Sequence, residues 1–161
     1  MKKKIFLLKF LIILSIFLID QFSKHYIINI FEFQNEVIYL TSFLNLQLIW
    51  NEGIAFGLLS FENDLYYNSI TFLIMLVILF LLLLIRNHDQ YSYFYSIIVG
   101  GALGNLTDRI RHSSVPDFID FHIFNFHWFV FNIADIFVTL GVICLIIAEI
   151  FFNKNKTNEQ N

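Results

Sequence analysis

The chain has 161 residues, of which 58% are hydrophobic and only 14% are charged. This composition is far more apolar than that of a soluble domain, so we expect a single integral membrane domain covering residues 1–161. The net charge of −3 gives no reason to expect a nucleic-acid partner. The single cysteine, Cys144, excludes an internal disulfide and a cysteine-based metal cluster.

Four apolar segments predict four transmembrane helices, at about residues 5–22, 65–85, 91–107 and 132–152. The first begins like a signal peptide but lacks a cleavage site after its apolar run, so we expect an uncleaved helix. Lysine and arginine concentrate at the two termini and in the polar turn at residues 86–90, which predicts that both termini are cytoplasmic. The expected fold is therefore an all-α membrane protein in which residues 25–64 form a large extracytoplasmic loop, with a polar tail at residues 153–161.

Two stretches in the first part of the chain carry polar residues that suggest a substrate-binding or ligand-binding site. Asp20 and Lys24 lie four residues apart on one helix face, which indicates either an interfacial ion pair or a site for a substrate head group. Residues 43–50 alternate between apolar and polar side chains, which predicts a strand of a small sheet on the membrane surface. The strand leads into Asn51-Glu-Gly53-Ile-Ala-Phe-Gly57, where the glycines permit either close approach of a ligand or a simple hairpin turn.

The third predicted helix carries a stripe of small and polar residues, because Gly101, Gly104, Asn105 and Asp108 recur at intervals of one helical turn. Close packing against another helix explains the glycines. It does not explain Asn105 and Asp108, which need buried partners. Arg109 is the obvious cation to pair with a carboxylate and to position a polar substrate.

Asp117 and Asp135 are predicted to meet at the outer edge of the membrane. Asp117 follows Pro116, which favours an extended or turn conformation in the loop before the fourth helix. Asn132 and Asp135 lie three residues apart on one face of that helix. Two carboxylates held together cannot both ionise, so they share a proton. One acid can then activate water while the other protonates the leaving group, which is the chemistry of an aspartic protease.

Five ordered motifs resemble those of the lipoprotein signal peptidase family, also called signal peptidase II. They are Asp20-x-x-Ser-Lys24, Asn51-x-Gly-x-Ala-Phe-Gly57, Gly101-Ala-Leu-Gly-Asn-Leu-x-Asp-Arg109, Val115-x-Asp-Phe-Ile-Asp120 and Phe131-Asn-x-Ala-Asp135. The resemblance implies an aspartic endopeptidase of the bacterial inner membrane. Such an enzyme removes the signal peptide of a diacylglyceryl-modified prolipoprotein just before the lipidated cysteine, and it is the target of the cyclic peptide globomycin.

The resemblance also implies a role for each matching residue. The catalytic dyad falls on Asp117 and Asp135, while the supporting or substrate-binding positions are Asp20, Lys24, Asn51, Gly53, Asn105, Asp108, Arg109 and Asn132. Pro116 departs from the family pattern, which more often has an aliphatic residue there. We expect no cofactor and no metal, a monomer, and lipidated precursors and membrane lipid as the partners.

Four other classes of protein also fit some of these residues. A Ser-Lys peptidase would have to use Ser23 or Ser113 with Lys24, and a glycine-framed serine elbow is absent. A small proton-coupled transporter would use intramembrane acids, although inverted repeats are absent and the acids cluster at one edge. A non-catalytic membrane scaffold would keep its function after loss of either dyad acid. A metal peptidase would lack the His-Glu-x-x-His motif and would have to recruit Asp117, Asp120, His122 and His127.

Overall fold

The computed structural model describes residues 2–33, 36–53, 64–86, 90–124 and 126–158. Within these ranges the chain forms four helices and one four-stranded antiparallel sheet. The helices are α1 (Lys2–Phe33), α2 (Asp64–Arg86), α3 (Ser92–His112) and α4 (Ile133–Asn158). The strands are β1 (Ile38–Tyr39), β2 (Leu44–Asn51), β3 (Val115–Ile123) and β4 (Phe126–Phe131). The predicted turn at 86–90 and the Ile54–Gly57 part of the loop motif lie largely outside the described residues.

The helices form a bundle with α3 at its centre, in contact with α1, α2 and α4. Three helices are long and apolar enough to cross a membrane, and their apolar stretches are Lys3–Phe33, Tyr67–Arg86 and Ile133–Phe151. The more polar α3 does not meet that criterion within the described part of the chain. The expected class, a helical membrane protein with a small sheet, is confirmed at this level.

Small residues on α3 allow its neighbours to approach closely. A Cβ atom added at Gly101 would lie 2.6 Å from the carbonyl oxygen of Ala134 on α4. A Cβ atom at Gly104 would collide with the carboxylate of Asp20 on α1. The predicted packing stripe therefore brings both α4 and α1 close to the same face of α3.

The first helix is longer than predicted, since it continues to Phe33 and includes residues 25–33 that we expected in the loop. At about 1.5 Å per residue, its 32 residues extend beyond a hydrocarbon core of about 30 Å. The extension is stabilised by packing, because Ile27 and Phe31 are buried against Phe118 of β3. The other helices also exceed the predicted ranges: α3 ends at His112, and the backbone of α4 continues to Asn158.

The sheet joins the two segments that were predicted to face outward. Its strand order is β1-β2-β3-β4, and β2 confirms the strand expected at residues 43–50. The segment between the last two helices forms the hairpin of β3 and β4, which confirms the extended conformation expected at Pro116, although the strands themselves were not predicted. Pro116 pairs with Trp50 near the start of β3, a position where a strand tolerates proline. A register shift between Leu46 and Ile49 adds one residue to β2.

Candidate active site

A polar cavity of about 230 Å³ lies where the sheet meets the ends of the helices. Both acids of the predicted dyad line it, together with the amide or guanidinium side chains of Asn51, Asn105, Arg109 and Asn132. These residues come from β2, α3, β3 and the start of α4. The fold therefore brings together polar residues that are separated by up to 84 positions in the sequence, from Asn51 to Asp135.

The carboxylate of Asp117 is buried, with only 3% of the residue exposed. Its Oδ1 atom accepts a hydrogen bond of 2.6 Å from the amide of Asn132, and its Oδ2 atom accepts one of 2.7 Å from the amide of Asn51. Burial, followed by the nearby charge of Asp135, raises the pKa of Asp117 from 3.8 to about 7. A proton is therefore available at this acid close to neutral pH.

Asp135 is held by the geometry of the helix start. Asn132 caps α4, because its Oδ1 atom accepts the backbone N–H of Asp135 at 3.0 Å. In return, Oδ2 of Asp135 accepts the backbone N–H of Asn132 at 3.2 Å. This reciprocal pair has the form of a capping box, which fixes the rotamer of the acid. The remaining oxygen of Asp135 accepts a bond of 2.8 Å from the amide of Asn105.

Three buried charged residues on α1 and α3, namely Asp20, Lys24 and Asp108, form a charge cluster beside the cavity. Nζ of Lys24 lies 2.8 Å from Oδ2 of Asp20 and 2.6 Å from Oδ2 of Asp108. Its third contact is a bond of 2.7 Å to Oδ1 of Asn105. These contacts occupy all three N–H donors of the ammonium group. They also turn the amide of Asn105 so that its N–H₂ faces Asp135.

The charge cluster also fixes the start of α4. Oδ1 of Asp20 accepts the backbone N–H of Ala134 at 2.8 Å, so the carboxylate occupies one of the free donors in the first helical turn. Gln21, which the sequence analysis did not single out, donates to Oδ1 of Asp108 at 3.2 Å. Of the two interpretations of Asp20 and Lys24, this geometry favours a structural ion pair over a head-group site.

Arg109 connects the cavity to the loop after β2. Its Nη2 atom donates to the carbonyl of Gly53 at 2.7 Å, and its guanidinium lies 5.6 Å from the ring centre of Tyr67. The N–H of Gly53 donates to Oδ1 of Asn51 at 2.9 Å, which orients the Asn51 amide toward Asp117. Nε and Nη1 of Arg109 are buried and have no hydrogen-bond partner among the described residues. Among the described residues these two donors at the cavity have no acceptor, and a ligand can supply one.

Asp120 is not among the residues that line this cavity. It is buried in the sheet, where Asn45 donates a hydrogen bond of 3.3 Å to its Oδ2 atom. The sequence analysis missed Asn45, although the strand pattern placed it opposite the apolar side chains. In the described ranges, no group of three or more His, Cys, Asp or Glu side chains is arranged to hold a metal ion.

Together, the helical bundle and the two acids at one polar cavity define a membrane protein equipped for acid–base catalysis. The sequence model of a family described as Signal peptidase (SPase) II matches residues 12–151. This chain belongs to the signal peptidase II family, and it is a protease.

Similar proteins support this assignment along nearly the whole chain. The lipoprotein signal peptidase of Pelagibacter ubique (strain HTCC1062) is 53% identical over 160 residues, which cover 98% of this chain and 96% of that protein. The lipoprotein signal peptidase of Francisella tularensis subsp. novicida (strain U112) is 39% identical and covers 95% of both chains. A bacterial membrane enzyme solved by the in meso method at 2.3 Å resolution has a TM-score of 0.73 and 30% identity, over 92% of this chain and 90% of that one.

Proposed function

We propose that the chain is an aspartic endopeptidase that removes the signal peptide from diacylglyceryl-modified prolipoproteins, cutting just before the lipidated cysteine. The observation that carries this proposal is the shared cavity of Asp117 and Asp135. The names of the relatives support the substrate class, because they are lipoprotein signal peptidases. The family resemblance further implies that the cyclic peptide globomycin inhibits this chain, which we include in the proposal.

In the proposed reaction, the pair carries one proton that both acids share. One carboxylate removes a proton from a water molecule, which attacks the scissile carbonyl, while the other acid gives its proton to the carbonyl oxygen. Collapse of the tetrahedral intermediate then transfers a proton to the leaving amine. The raised pKa of Asp117 suits this role, because a carboxyl with a pKa of about 7 both holds and releases a proton near neutral pH. The apparent pKa values belong to the pair as a unit.

The asparagine amides orient the two acids. Asn132 contacts both, since its amide donates to Asp117 while its backbone N–H donates to Asp135. The amide of Asn51 on β2 donates to Asp117, and the amide of Asn105 on α3 donates to Asp135. Each oxygen of the pair thus accepts a hydrogen bond, and the acids are held in place before substrate arrives.

Arg109 is proposed to bind the substrate backbone. Its Nε and Nη1 atoms lack partners among the described residues, and the guanidinium lines the cavity. A peptide carbonyl next to the scissile bond would satisfy these donors, and a buried cation that stays unsatisfied would be costly. Gly53 fixes the guanidinium through its carbonyl group. Lys24 and Asp20 act as positioning residues, because Lys24 donates to Asn105 and Asp20 accepts a hydrogen bond from the start of α4. Asp108 acts through Lys24, whose ammonium group it contacts.

We also propose that all four helices cross the inner membrane of a bacterium. The 21 residues of α3 span about 31 Å, which matches a hydrocarbon core of about 30 Å. Its polar residues Ser92, Ser96, Asp108 and Arg109 are buried, so they do not require contact with lipid. With both termini in the cytoplasm, as the positive-inside rule predicts, the sheet and the cavity face the outer side. The enzyme acts as a monomer without a cofactor.

A gel-shift cleavage assay tests this proposal, using purified full-length chain in detergent and a diacylglyceryl-modified prolipoprotein. We expect the wild type to cleave the substrate in the presence of EDTA and to be inhibited by globomycin. Cleavage should be lost in Asp117→Asn and in Asp135→Asn, and only partly reduced in Asp120→Asn. The last variant is the matched control, because it removes a buried carboxylate of the same sheet outside the cavity. No cleavage by folded wild-type protein would favour the transporter or scaffold alternatives, and loss of cleavage in EDTA would favour a metal peptidase.

A further inference from the structure

A cavity of about 350 Å³, which we call the α1–α3 cavity, lies between the first and third helices. Its walls come from residues 17–28 of α1 and residues 108–112 of α3, and it shares no lining residue with the cavity of the two catalytic acids. Lys24 and Asp108 line it, while Asn105, which accepts a hydrogen bond from Lys24, lines the other cavity. The buried charge cluster therefore lies between the two cavities.

The α1–α3 cavity is apolar at one end and cationic at the other. The apolar end contains Phe17, Leu18 and Phe22, and the cationic end contains His25, Arg111 and His112. His25 lies eight residues after Phe17 on the same helix, which corresponds to about 12 Å along the helix axis. The polarity of the walls thus changes over roughly half the thickness of one leaflet and the head-group region above it.

Both helices contribute their polar residues at the same end, because α1 and α3 run parallel. Asp20 lies against Gly104 of α3, and one turn later Lys24 contacts Asp108. Arg111 follows in the last turn of α3. In the proposed topology, this end of both helices lies at the outer surface of the membrane.

Arg111 gives the cationic end its net positive charge. Lys24 and Asp108 lie 2.6 Å apart, so their charges cancel. Arg111 is exposed, and every ion pair found among the described residues is made by Lys24. The helix dipole favours a cation in the last turn of a helix, but it does not require that this cation line a cavity with an aromatic floor.

The two imidazole rings of the cationic end are held by their neighbours. The ring of His112 lies 5.4 Å from that of Trp50, measured between ring centres. Nε2 of His25 lies 3.1 Å from the side-chain nitrogen of Asn29. An amide nitrogen can only donate, so Nε2 accepts this hydrogen bond and Nδ1 of His25 carries a proton. Nδ1 and the guanidinium of Arg111 are therefore donors suited to an anionic group.

We propose that the α1–α3 cavity binds one phospholipid of the outer leaflet, with its phosphate at Arg111 and an acyl chain in the apolar end. A guanidinium binds phosphate through paired, charge-assisted hydrogen bonds. The apolar end is open to the bilayer, since Leu18 is 39% exposed and Phe22 is 69% exposed within the apolar span Lys3–Phe33. A free phosphate would leave this end empty, and a diacylglycerol would leave Arg111 without an anion. The choice of leaflet rests on the proposed topology, whereas the binding itself is independent of cleavage.

The test measures lipid binding to the delipidated full-length chain in detergent by native mass spectrometry. The probes are dioleoylphosphatidylglycerol and dioleoylglycerol, which has the same chains but no phosphate, with inorganic phosphate in large excess as the competitor. We expect one tightly held phosphatidylglycerol, with a Kd at least about tenfold lower than that of dioleoylglycerol. Inorganic phosphate should not displace it, because phosphate alone gains no contact with the apolar end.

Arg111→Gln is compared with Arg86→Gln, which removes the same charge from an exposed arginine in the last turn of α2, outside this cavity. Arg111→Gln should raise the Kd for phosphatidylglycerol at least about tenfold, and Arg86→Gln should change it less than about twofold. Equal losses in the two variants would show that binding follows net charge, and they would overturn the site. Equal Kd values for the two lipids, or displacement by inorganic phosphate, would overturn a phospholipid as the occupant.

A second measurement needs no variant. Phosphatidylglycerol with a diazirine on one acyl chain is photolysed on the wild-type protein, and crosslinked residues are located by peptide mass spectrometry. Crosslinks at Phe17, Leu18 or Phe22 are expected, and crosslinks confined to other parts of the chain would overturn the inference. Both measurements work on protein that cleaves nothing, so a failure of the proposed function would leave their outcome unchanged.

Discussion

Replacement of Lys24 by methionine is the sharpest test of the buried charge cluster. In wild type, Nζ of Lys24 contacts Oδ2 of both Asp20 and Asp108 at 2.8 and 2.6 Å, and the three side chains are almost completely buried. Methionine has a similar length and packs well in apolar surroundings, so the change removes the charge while largely preserving the volume. Two buried carboxylates then lose their shared cation, and Oδ1 of Asn105 loses its donor.

Removal of one partner from a buried ion pair typically costs about 3–5 kcal/mol, and we expect Lys24→Met to fall in that range. The catalytic rate should fall as well, because the Asn105 amide is no longer fixed toward Asp135. Lys9→Met is the matched control on the same helix. Lys9 is also 2% exposed, but its hydrogen bond is to the carbonyl of Ile85 at 3.2 Å. Loss of that hydrogen bond should lower the free energy of unfolding by about 1.5–3 kcal/mol and leave kcat unchanged.

The assay is an SDS titration in mixed micelles followed by tryptophan fluorescence, together with kcat for cleavage of the lipidated precursor. A further replacement of Asp108 by asparagine should restore part of the lost stability, since it removes one of the uncompensated charges. If Lys24→Met were as stable as Lys9→Met and retained the wild-type kcat, the charge cluster would not position Asn105 or α4.

Three further predictions concern Asp117, Arg109 and the end of α1. Because the pKa of Asp117 is raised from 3.8 in the unfolded chain to about 7 in the folded one, stability falls as pH rises through that window. Asp117→Asn lacks this titration. The free energy of unfolding of Asp117→Asn minus that of wild type should therefore rise by about 4 kcal/mol between pH 4 and pH 8, which SDS titrations at the two pH values measure. If this difference were the same at both pH values, the raised pKa of Asp117 would be contradicted. Arg109→Lys keeps the charge but loses the planar fork, and steady-state kinetics should give a kcat/KM about 10- to 100-fold lower. An unchanged value would exclude substrate binding by Nε and Nη1 of Arg109. Phe31→Ala should lower the free energy of unfolding by about 3–5 kcal/mol and speed hydrogen exchange in β3. Phe33→Ala, at a site that is 89% exposed, should change neither quantity. Equal effects of the two variants would show that the extension of α1 does not support the sheet.

Much of the candidate site could be predicted from residue types and spacing. Acids in apolar surroundings drew attention to Asp117 and Asp135, and both line one cavity. The Asn-x-x-Asp spacing at residues 132–135 also predicts the capping box, because this motif consists of an N-cap residue and an acidic or amide residue three positions later. The spacing of residues along the sequence could not predict the hydrogen-bond partner of each asparagine amide. The bond between Asn105 and Asp135 connects two helices, so it depends on how α3 packs against α4.

The errors in the predicted fold have local physical causes. Pro116 correctly indicated an extended or turn conformation, but we did not predict the strand that the β-branched and aromatic residues after it form, in which one proline near the start is tolerated. The helix prediction ended at residue 22 because Asp20 and Lys24 interrupt the apolar run. Their charges are satisfied within the bundle, so the helix continues through them. We did not use the spacing of Ile27 and Phe31, which are four residues apart and therefore lie on one face of a helix.

The most direct test of the central claim, that Asp117 and Asp135 act as one catalytic unit, is a single-turnover measurement of cleavage. The rates are compared for wild type, Asp117→Asn, Asp135→Asn and the double variant, at matched loading of the folded enzyme with diacylglyceryl-modified prolipoprotein. Residues that act together have strongly non-additive effects. Each single variant should therefore lose about a thousandfold or more in rate, and the double variant should be no slower than either. A single variant with near wild-type cleavage, or losses that multiply in the double variant, would contradict the claim.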